Sequence, residues 1–571
     1  MLKDGLEPTG KATGAQANTL APAQRFLGGL LDGWDWLAAR RLTLTFFAGL
    51  LLMGALVLIA APHRSHRWAP DVFLFLDGGW RVYNGQRPYA DFYTGLGPLT
   101  FQLVALGFRV GGATAAGIDY GFGIAAMGLG IWSWWLFRKR MERPAALALA
   151  WFVAVLVLAP HALGMRLDIL TYASWYNRLG YALLAMVLVE ALCAPLTPSA
   201  RDEWEGGISS GAACLLMLFL KPSFFLIAAL MLAASYLFQD LRSLRRTLGL
   251  AVGFAVPALA MMAYLRFDVG AIWYDFRTVA AARTNPINNE GFGMGPLTVL
   301  KHAYDHAEEG AGLLLLGWMV TVLPRAQRTL RYLDGWWPLA VAAGALSADL
   351  ALNTSNGVQF CLPLIGVTAV VLASVTYRWW RSAGPSERHE YRWLCGFSLV
   401  LAIMLFAPQA LNDAAALMYS ARQSKLGPPL PSHFQAAPLQ RLLTRETPKD
   451  WDEPYDGKYL VDPTNDGAAL LASASQPSES VIALTSINPF SFALQRKPAE
   501  GGSPYLGASF FNPGNMPPEK WMIGGADLVM IPKDQNKAAA WLKQVFGDFV
   551  ERNYALAAES DDWWLYRRKG K

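Results

Sequence analysis

Repeated apolar runs, each about 17 to 25 residues long, constrain this chain more than any other feature of its sequence. A run of that length can cross a bilayer as an α-helix. Only 16% of the 571 residues are charged, whereas a soluble globular protein usually has about 25%. The sequence therefore predicts an all-α polytopic membrane domain over residues 42–410, with about eleven transmembrane helices.

Basic residues indicate how the predicted spans are oriented. Lys and Arg cluster at alternate turns, for example at Arg138–Arg140 and at Arg378 and Arg381, and such clusters are typical of the cytoplasmic side. They predict a multi-pass protein of the plasma (inner) membrane, with its N-terminus in the cytoplasm and its C-terminus outside. The predicted spans are 42–62, 118–137, 144–160, 179–196, two within 207–235, 247–267, 310–324, 333–352, 359–377 and 394–409.

One apolar stretch, residues 207–235, is too long for a single span. It is broken once, at Lys221–Pro222, and a proline interrupts or kinks a helix. We therefore expect a hairpin of two spans with Lys221 at the outer turn.

Three segments lie outside the predicted spans. Residues 1–41 are polar and rich in Gly and Ala, and we expect a disordered cytoplasmic tail. Residues 63–117 are predicted to be an outer loop of short amphipathic helices that lie on the membrane. Residues 411–571 lack a long apolar run and predict a small extracytoplasmic α/β domain. Its predicted elements are strands at 481–487 and 526–532, a helix at 538–552, and a closing strand pair at 554–558 and 563–566.

The predicted outer surface holds most of the unusual polar residues, whereas the inner loops are short and basic. Any reaction site is therefore expected to face outward. An outward-facing sugar transferase cannot use nucleotide sugars, because these stay in the cytoplasm, so it needs a donor that has already crossed the membrane. A sugar linked to polyprenyl phosphate is such a donor. Transfer requires a carboxylate that deprotonates an acceptor hydroxyl. It also requires Lys or Arg side chains, or a divalent cation such as Mg or Mn, to hold the phosphate leaving group.

The first outer loop carries the most informative motif, DVFLFLDGGWRVYNGQRPYADFYTGLGP over residues 71–98. Asp71 stands fourteen residues before Gly85, which is followed by PY-x-DF and then by Pro98. This pattern resembles the first-loop signature of the GT-C superfamily of polyprenyl-phosphate-dependent membrane glycosyltransferases. It is most like the bacterial branch of protein O-mannosyltransferase-like and lipopolysaccharide-modifying enzymes. In that family Glu often follows the Asp; here Val72 stands in its place.

The resemblance implies an inverting hexosyl- or pentosyltransferase in which Asp71 is the general base. Capping of an interfacial helix is the alternative role for Asp71. Asp77 and Asp91 are the other candidate catalytic carboxylates. Asp77 with the Gly that follows it is also an ordinary turn pair. Asp91 is equally suited to orienting Arg87 or the acceptor and to bracing the loop.

Candidate contacts to the donor or acceptor come from several outer segments. A lysine between apolar half-runs is costly unless it meets an anion, so Lys221 is predicted to hold the phosphate; snorkelling to the headgroups is the alternative. Arg178 follows Trp-Tyr-Asn and suits sugar binding or interfacial anchoring. Tyr89 is suited to substrate binding, with packing in the loop as the alternative role. The acidic residues of 268–290 are read as a solvated loop, with a metal site as the alternative. The predicted contacts are Arg87, Tyr89, Arg178, Lys221, Arg283 and Gln359.

Other classes of site lack a sequence signal. His63 and His66 have no carboxylate or Cys partner at the spacing of a zinc site, and no G-x-x-x-x-G-K-[ST] motif supports ATP-driven work. The expected partners are a polyprenyl-phosphate sugar, membrane lipids, and a glycan, lipid or protein acceptor, with no nucleic acid. A flippase of lipid-linked sugars and a non-catalytic membrane assembly subunit remain the alternative functions.

Overall fold

The computed structural model of the chain describes residues 42–197, 199–238, 243–283, 296–323, 335–356, 361–427, 432–444, 457–507, 510–511, 516–534 and 537–570. The predicted N-terminal tail, residues 1–41, lies outside the described residues. The protein is mostly helical, with a small sheet near the C-terminus.

The helices before residue 427 form the larger part of the protein. They are α1 (Leu42–Ala60), α2 (Asp71–Tyr83), α3 (Pro98–Gly111), α4 (Gly117–Phe137), α5 (Arg143–Leu158), α6 (Trp175–Leu192), α7 (Ala200–Leu218), α8 (Pro222–Phe238), α9 (Leu244–Tyr264), α10 (Val269–Arg283), α11 (Pro296–Asp305), α12 (Ala307–Val322), α13 (Trp337–Asn356), α14 (Pro363–Ser382) and α15 (Pro385–Leu426).

A helix coincides with each predicted span. Of the described helices, α1, α9 and α15 are long and apolar enough to cross a membrane. Helix α1 is apolar on all sides and leaves Leu51 75% exposed, as expected for a helix that faces lipid. The chain is thus a membrane protein, while the number and orientation of its spans stay predictions.

The predicted break in the 207–235 stretch is confirmed. Helix α7 ends at Leu218 and α8 begins at Pro222, so two helices replace one that would have been too long for a bilayer. Pro222 suits the first position of a helix, where no backbone N–H is needed for an intrahelical bond. Lys221 therefore lies in the short turn between the two helices.

The first outer loop contains two helices, as predicted, but they are buried. Helices α2 and α3 run parallel, with Gly78 against Phe101 and Gly79 against Val104 and Phe108. A Cβ at Gly78 would lie 2.2 Å from the Phe101 ring, so the glycines allow this close approach. Every residue from Val72 to Val82 is buried, because α2 packs against the other helices on one side and against the C-terminal domain on the other.

The C-terminal domain contains a four-stranded sheet in the order β1-β2-β4-β3. The first two strands pair in parallel and the other pairs are antiparallel. The predicted helix and closing strand pair are confirmed. Its elements are α16 (Gly457–Ala474), β1 (Val481–Ala483), α17 (Phe490–Ala493), α18 (Glu519–Met522), β2 (Leu528–Pro532), α19 (Lys537–Asn553), β3 (Tyr554–Glu559) and β4 (Trp563–Arg568).

The C-terminal domain and the first outer loop share one apolar core. Leu74 and Phe101 belong to the same cluster of buried side chains as Ile482, Val529 and Leu542. Burial of this kind is the main favourable contribution to association of protein surfaces. The domain is therefore built onto the loop, and is not a separate module on a tether.

The boundary predicted between residues 410 and 411 falls inside a helix. Helix α15 continues from Pro385 to Leu426 without a break, even past Pro408. The sequence becomes polar after residue 410 but stays rich in Ala and Leu, which are good helix formers. The change in composition therefore does not mark the end of the helix.

Candidate functional site

Asp71 is the first residue of α2 and is half-buried. A carboxylate is favoured there, because the N-terminal end of a helix carries a partial positive charge. At 1.5 Å per residue, Asp71 precedes Gly78 by roughly 10 Å along the axis of α2. Since α2 and α3 run parallel, Asp71 lies toward the end at which α3 begins with Pro98.

The start of α3 is fastened to the turn between α7 and α8. The Gly97 N–H donates to the Leu220 carbonyl at 3.0 Å, and the Leu99 N–H donates to the Phe219 carbonyl at 3.1 Å. A Cβ at Gly97 would lie 1.9 Å from the Phe219 carbonyl oxygen, so a side chain cannot be accommodated. The turn that carries Lys221 is thereby held at the start of α3.

Lys221 also contacts the first turn of α6. Its Nζ lies 3.4 Å from Asn177 Oδ1 and 5.4 Å from the centre of the Tyr176 ring. The Tyr176 ring in turn lies 6.4 Å from the ring of Phe75, about one helical turn after Asp71. The predicted base and the predicted phosphate-binding lysine therefore lie at the same end of the α2–α3 pair.

Four helices begin around this region: α2 at Asp71, α3 at Pro98, α6 at Trp175 and α8 at Pro222. Helix N-termini offer backbone N–H groups and the positive end of the helix dipole, and together these bind anions. An ammonium group next to them adds a full positive charge. The region is suited to a phosphate, with a carboxylate nearby.

Asp77, predicted as a second catalytic carboxylate, is completely buried and contacts Arg81 at 2.8 Å. Arg81 also donates to the Gly501 carbonyl at 2.7 Å and to the Ala499 carbonyl at 3.1 Å. Burial raises the pKa of the Asp77 carboxyl, and the Arg81 guanidinium offsets this only in part. The pair joins α2 to the C-terminal domain, which gives Asp77 a structural role.

Asp91 and Arg87 form a two-pronged ion pair within the loop. Arg87 Nε and Nη2 donate to the Asp91 carboxylate at 2.9 and 2.8 Å. Burial tends to raise the pKa of Asp91, but the hydrogen bonds from Arg87 outweigh it and lower the pKa. The Asp91 carbonyl accepts from the Gly501 N–H at 2.9 Å. The pair braces the loop against the C-terminal domain, which is one of the two roles expected of Asp91.

Tyr89 packs rather than presenting its ring to an open site. It is only 2% exposed, and its ring lies 5.6 Å from that of Phe276 on α10. Its backbone has a positive φ of 70°, which is unusual for a residue other than glycine. The contact holds α10 against the first loop.

Arg178 is engaged in a buried network that spans three segments. It is 1% exposed, and its Nη1 lies 3.1 Å from Asp413 Oδ1 on α15. Its guanidinium also donates to the carbonyls of His161 at 2.8 Å and Leu156 at 2.9 Å. The guanidinium is thus held by protein partners, while sugar binding and interfacial anchoring stay predictions for Arg178. Its neighbour Asn177 contacts Lys221.

Asp275 differs most from the expectation for its loop. Residues 268–290 were expected to form a solvated loop, but Asp275 is 1% exposed and accepts a hydrogen bond from the Thr94 N–H at 2.9 Å. Burial raises the pKa of this carboxyl to about 8. Asp275 thus connects α10 to the segment that leads into α3. Thr94 and Asp275 are 181 residues apart, so the sequence gives no signal for this contact.

His63, which has no carboxylate at the spacing of a zinc site, contacts one that is distant in the sequence. His63 Nδ1 lies 2.7 Å from Asp119 Oδ1, and the Tyr172 hydroxyl donates to Asp119 Oδ2 at 2.9 Å. All three side chains are buried. Asp119 lies within a predicted span, 56 residues from His63, so the pairing could not be found from local spacing.

Two predicted contact residues and the metal remain as predictions. Gln359 lies outside the described residues, and so does the side chain of Arg283, which ends α10. Within the described part of the chain, no group of three or more His, Cys, Asp or Glu side chains is arranged to hold a metal ion.

Neither a family model nor a curated protein matches the chain. Two structures of ArnT from Cupriavidus metallidurans are similar over 92% of this chain and 97% of their own, at 12% identity. The form bound to undecaprenyl phosphate has a TM-score of 0.47 and the apo form 0.36. The archaeal oligosaccharyltransferase AglB from Archaeoglobus fulgidus, in complex with an inhibitory peptide and a dolichol-phosphate, is 13% identical over 92% of this chain and 74% of its own, with a TM-score of 0.34.

Because the TM-scores are low, the function proposed below rests on the residues of this chain.

Proposed function

We propose that this chain is a membrane glycosyltransferase that moves a sugar from a polyprenyl-phosphate donor to an acceptor hydroxyl at the outer face of the membrane. The single observation that carries the proposal is the location of Asp71 and Lys221 at one end of the parallel helices α2 and α3. A base and a cation at one site are what transfer from a phosphate leaving group requires.

In the proposed reaction, the Asp71 carboxylate accepts the proton of the acceptor hydroxyl as its oxygen attacks the anomeric carbon. The new glycosidic bond forms while the bond between that carbon and the phosphate oxygen breaks, and the configuration inverts. The electron pair of the broken bond leaves on the phosphate. Lys221 and the helix N-termini stabilise that charge, so no general acid is needed.

An apolar groove of about 340 Å³, of a chemistry suited to an isoprenoid tail, lies between α6, α8 and α13. Asn177 and Lys221 lie at the N-terminal ends of α6 and α8, whereas the groove residues of α6 begin at Leu188, roughly 16 Å further along that helix. The groove therefore lies along the same two helices but apart from the proposed phosphate site. The groove is lined by Leu188, Ala191, Leu192, Ile227, Leu230, Met231, Ala234, Ser235, Trp337, Ala340, Val341, Gly344, Ala345, Ser347 and Ala348.

Release of polyprenyl phosphate from a panel of polyprenyl-phosphate hexoses and pentoses tests the proposal, with the full chain in lipid nanodiscs and a mixed-glycan acceptor. We expect Asp71→Asn to slow release by about a hundredfold or more, which is the usual contribution of a general base. Asp268→Asn is the matched control, because Asp268 is exposed and its carboxylate also lies at a helix N-terminus, accepting from the Ala271 N–H at 2.9 Å.

The control should keep the wild-type rate. An Asp71→Asn variant as active as the wild type would exclude Asp71 as the base. Transbilayer movement of the lipid-linked sugar without any release would instead identify a flippase.

A further inference from the structure

Asn177 is buried, and one half of its side-chain amide is unsatisfied. The residue has no exposed surface, and its Oδ1 accepts from Lys221 Nζ at 3.4 Å. Among the residues that the structure describes, Asn177 Nδ2 has no hydrogen-bond partner. Buried amide groups almost always have a partner, so this N–H pair points to a ligand.

The position of Asn177 in its helix indicates the charge of that ligand. It is the third residue of α6, in the first turn, where the helix dipole favours an anion. Lys221 immediately precedes α8, so two helix N-termini meet where the ammonium touches the amide. The amide N–H groups, the ammonium and the helix ends are all donors or positive charges, which suit the oxygens of a phosphate.

The chain around Asn177 is anchored on both sides. On one side, the Trp175 indole N–H donates to the Val157 carbonyl at 2.5 Å. On the other, Arg178 is paired with Asp413 at 3.1 Å. A donor held in place by its surroundings needs no reorganisation when the ligand binds.

We propose that Asn177 and Lys221 together form a phosphate-binding site, in which Asn177 Nδ2 and Lys221 Nζ donate to phosphoryl oxygens while Asn177 Oδ1 orients the ammonium. Asn177 is thereby a binding residue, which the sequence motif did not indicate. That this phosphate belongs to the sugar donor rests on the proposed function; that a phosphate binds here does not. Both a lipid phosphate and free phosphate have the chemistry that the site recognises.

Binding of farnesyl phosphate to the full chain in detergent micelles, measured by isothermal titration calorimetry, tests the site without any transfer reaction. We expect Asn177→Ala to raise the Kd at least about tenfold, because a hydrogen bond to a charged group is lost. Asn177→Asp, which is nearly the same shape but replaces the N–H donors with a negative charge, should abolish binding. Thermal unfolding of each variant without ligand shows that it is folded.

Asn412→Ala is the matched control, because Asn412 Nδ2 already donates to the Met165 carbonyl at 3.0 Å. This variant should keep the wild-type Kd. Folded Asn177→Ala and Asn177→Asp variants that bind farnesyl phosphate as tightly as the wild type would overturn the proposal.

Inorganic phosphate is titrated in parallel. If inorganic phosphate binds much more weakly than farnesyl phosphate, the natural ligand is a lipid phosphate. If the two bind equally tightly, the lipid phosphate is excluded as the specific ligand and the site is one for free phosphate. Binding that depends on Asn177 in a protein that transfers no sugar would contradict the proposed function and support this site.

Discussion

Arg178 and Asp413 are separated by 235 residues in the sequence, and their side chains lie 3.1 Å apart in the structure. Both are almost completely buried, so the pair joins α6 to α15 in a region from which water is excluded. Through this pair, the last long helix of the membrane domain supports the first turn of α6, which contacts Lys221. The support of the proposed site thus extends well beyond the first outer loop.

Removing Asp413 should destabilise the protein strongly. The variant Asp413→Ala leaves the Arg178 guanidinium buried without its carboxylate, which typically costs about 3–5 kcal/mol. Thermal unfolding in detergent measures the change. The control is Asp168→Asn, since the Arg166–Asp168 pair is exposed and such pairs contribute roughly 0–1 kcal/mol. Equal melting temperatures for the two variants would contradict the structural role of Arg178.

Arg81 should hold the C-terminal domain on the first outer loop. The variant Arg81→Met loses the donors to the Gly501 and Ala499 carbonyls and leaves Asp77 buried without its partner. We expect faster amide hydrogen exchange in residues 496–502 and in α2, because loss of a buried ion-pair partner costs about 3–5 kcal/mol.

Arg552→Met is the control for this exchange experiment, since Arg552 pairs with Glu519 at the surface at 3.5 Å. Its exchange pattern should match that of the wild type. Unchanged protection of residues 496–502 in Arg81→Met would show that the domain is held by its apolar contacts alone.

Asp275 should make the protein less stable as the pH rises. Its pKa is raised by burial to about 8 in the folded chain, whereas an aspartate in an unfolded chain has a pKa of about 3.9. Between these values the folded state keeps a proton that the unfolded state releases, so the stabilisation present at low pH is lost progressively as the pH rises from about 4 to about 8, and no more is lost above that.

The variant Asp275→Asn removes this titration and keeps an oxygen acceptor for the Thr94 N–H. Melting temperatures from pH 5 to pH 9 should therefore fall less in Asp275→Asn than in the wild type. Asp268→Asn, a change at an exposed carboxylate of the same segment, should leave the wild-type slope unaltered. A slope in Asp275→Asn as steep as that of the wild type would assign the pH dependence to other groups.

Gly97 should be essential for the contact between α3 and the turn at Lys221. A methyl group in Gly97→Ala would lie 1.9 Å from the Phe219 carbonyl oxygen, so the two segments must separate. We expect at least a tenfold loss of farnesyl phosphate affinity, equivalent to about 1.4 kcal/mol. Gly128→Ala is the control, because a Cβ at Gly128 meets nothing within 4 Å. Wild-type affinity in Gly97→Ala would mean that this contact does not position Lys221.

The helices at the predicted spans could be located from the sequence, because their lengths follow from the thickness of a bilayer. Helix α10 could not, since its segment was expected to be a solvated loop. The hairpin at Pro222 and the strand pair of β3 and β4 also had signals within their own segments: a proline that interrupts a long apolar stretch, and two short segments that are close in the sequence. The coverage of α2 and α3 by the C-terminal domain had none, since it depends on apolar side chains that come together from both ends of the chain.

The candidate site could be predicted only in part. Asp71 belongs to a motif, and Lys221 is a lysine between apolar half-runs, so each has a local signal. The partner of Arg178 lies 235 residues away, and the carbonyls that hold the Asp77–Arg81 pair lie about 420 residues away. Without these distant contacts, Arg178 and Asp77 resemble site residues. The sequence indicated sugar binding for the Trp-Tyr-Asn segment that contains Asn177, but it gave no signal for a phosphate, because that role depends on one unsatisfied amide group.

A structure determined with undecaprenyl phosphate bound to the full chain would test the central claim most directly. We predict that the phosphorus atom lies within about 4 Å of Lys221 Nζ, since charge-assisted hydrogen bonds to phosphate are about 2.7–2.9 Å long. The phosphate should also face the half-buried carboxylate of Asp71. A phosphate bound instead at the basic cluster Arg138–Arg140, away from Lys221 and Asp71, would contradict the account.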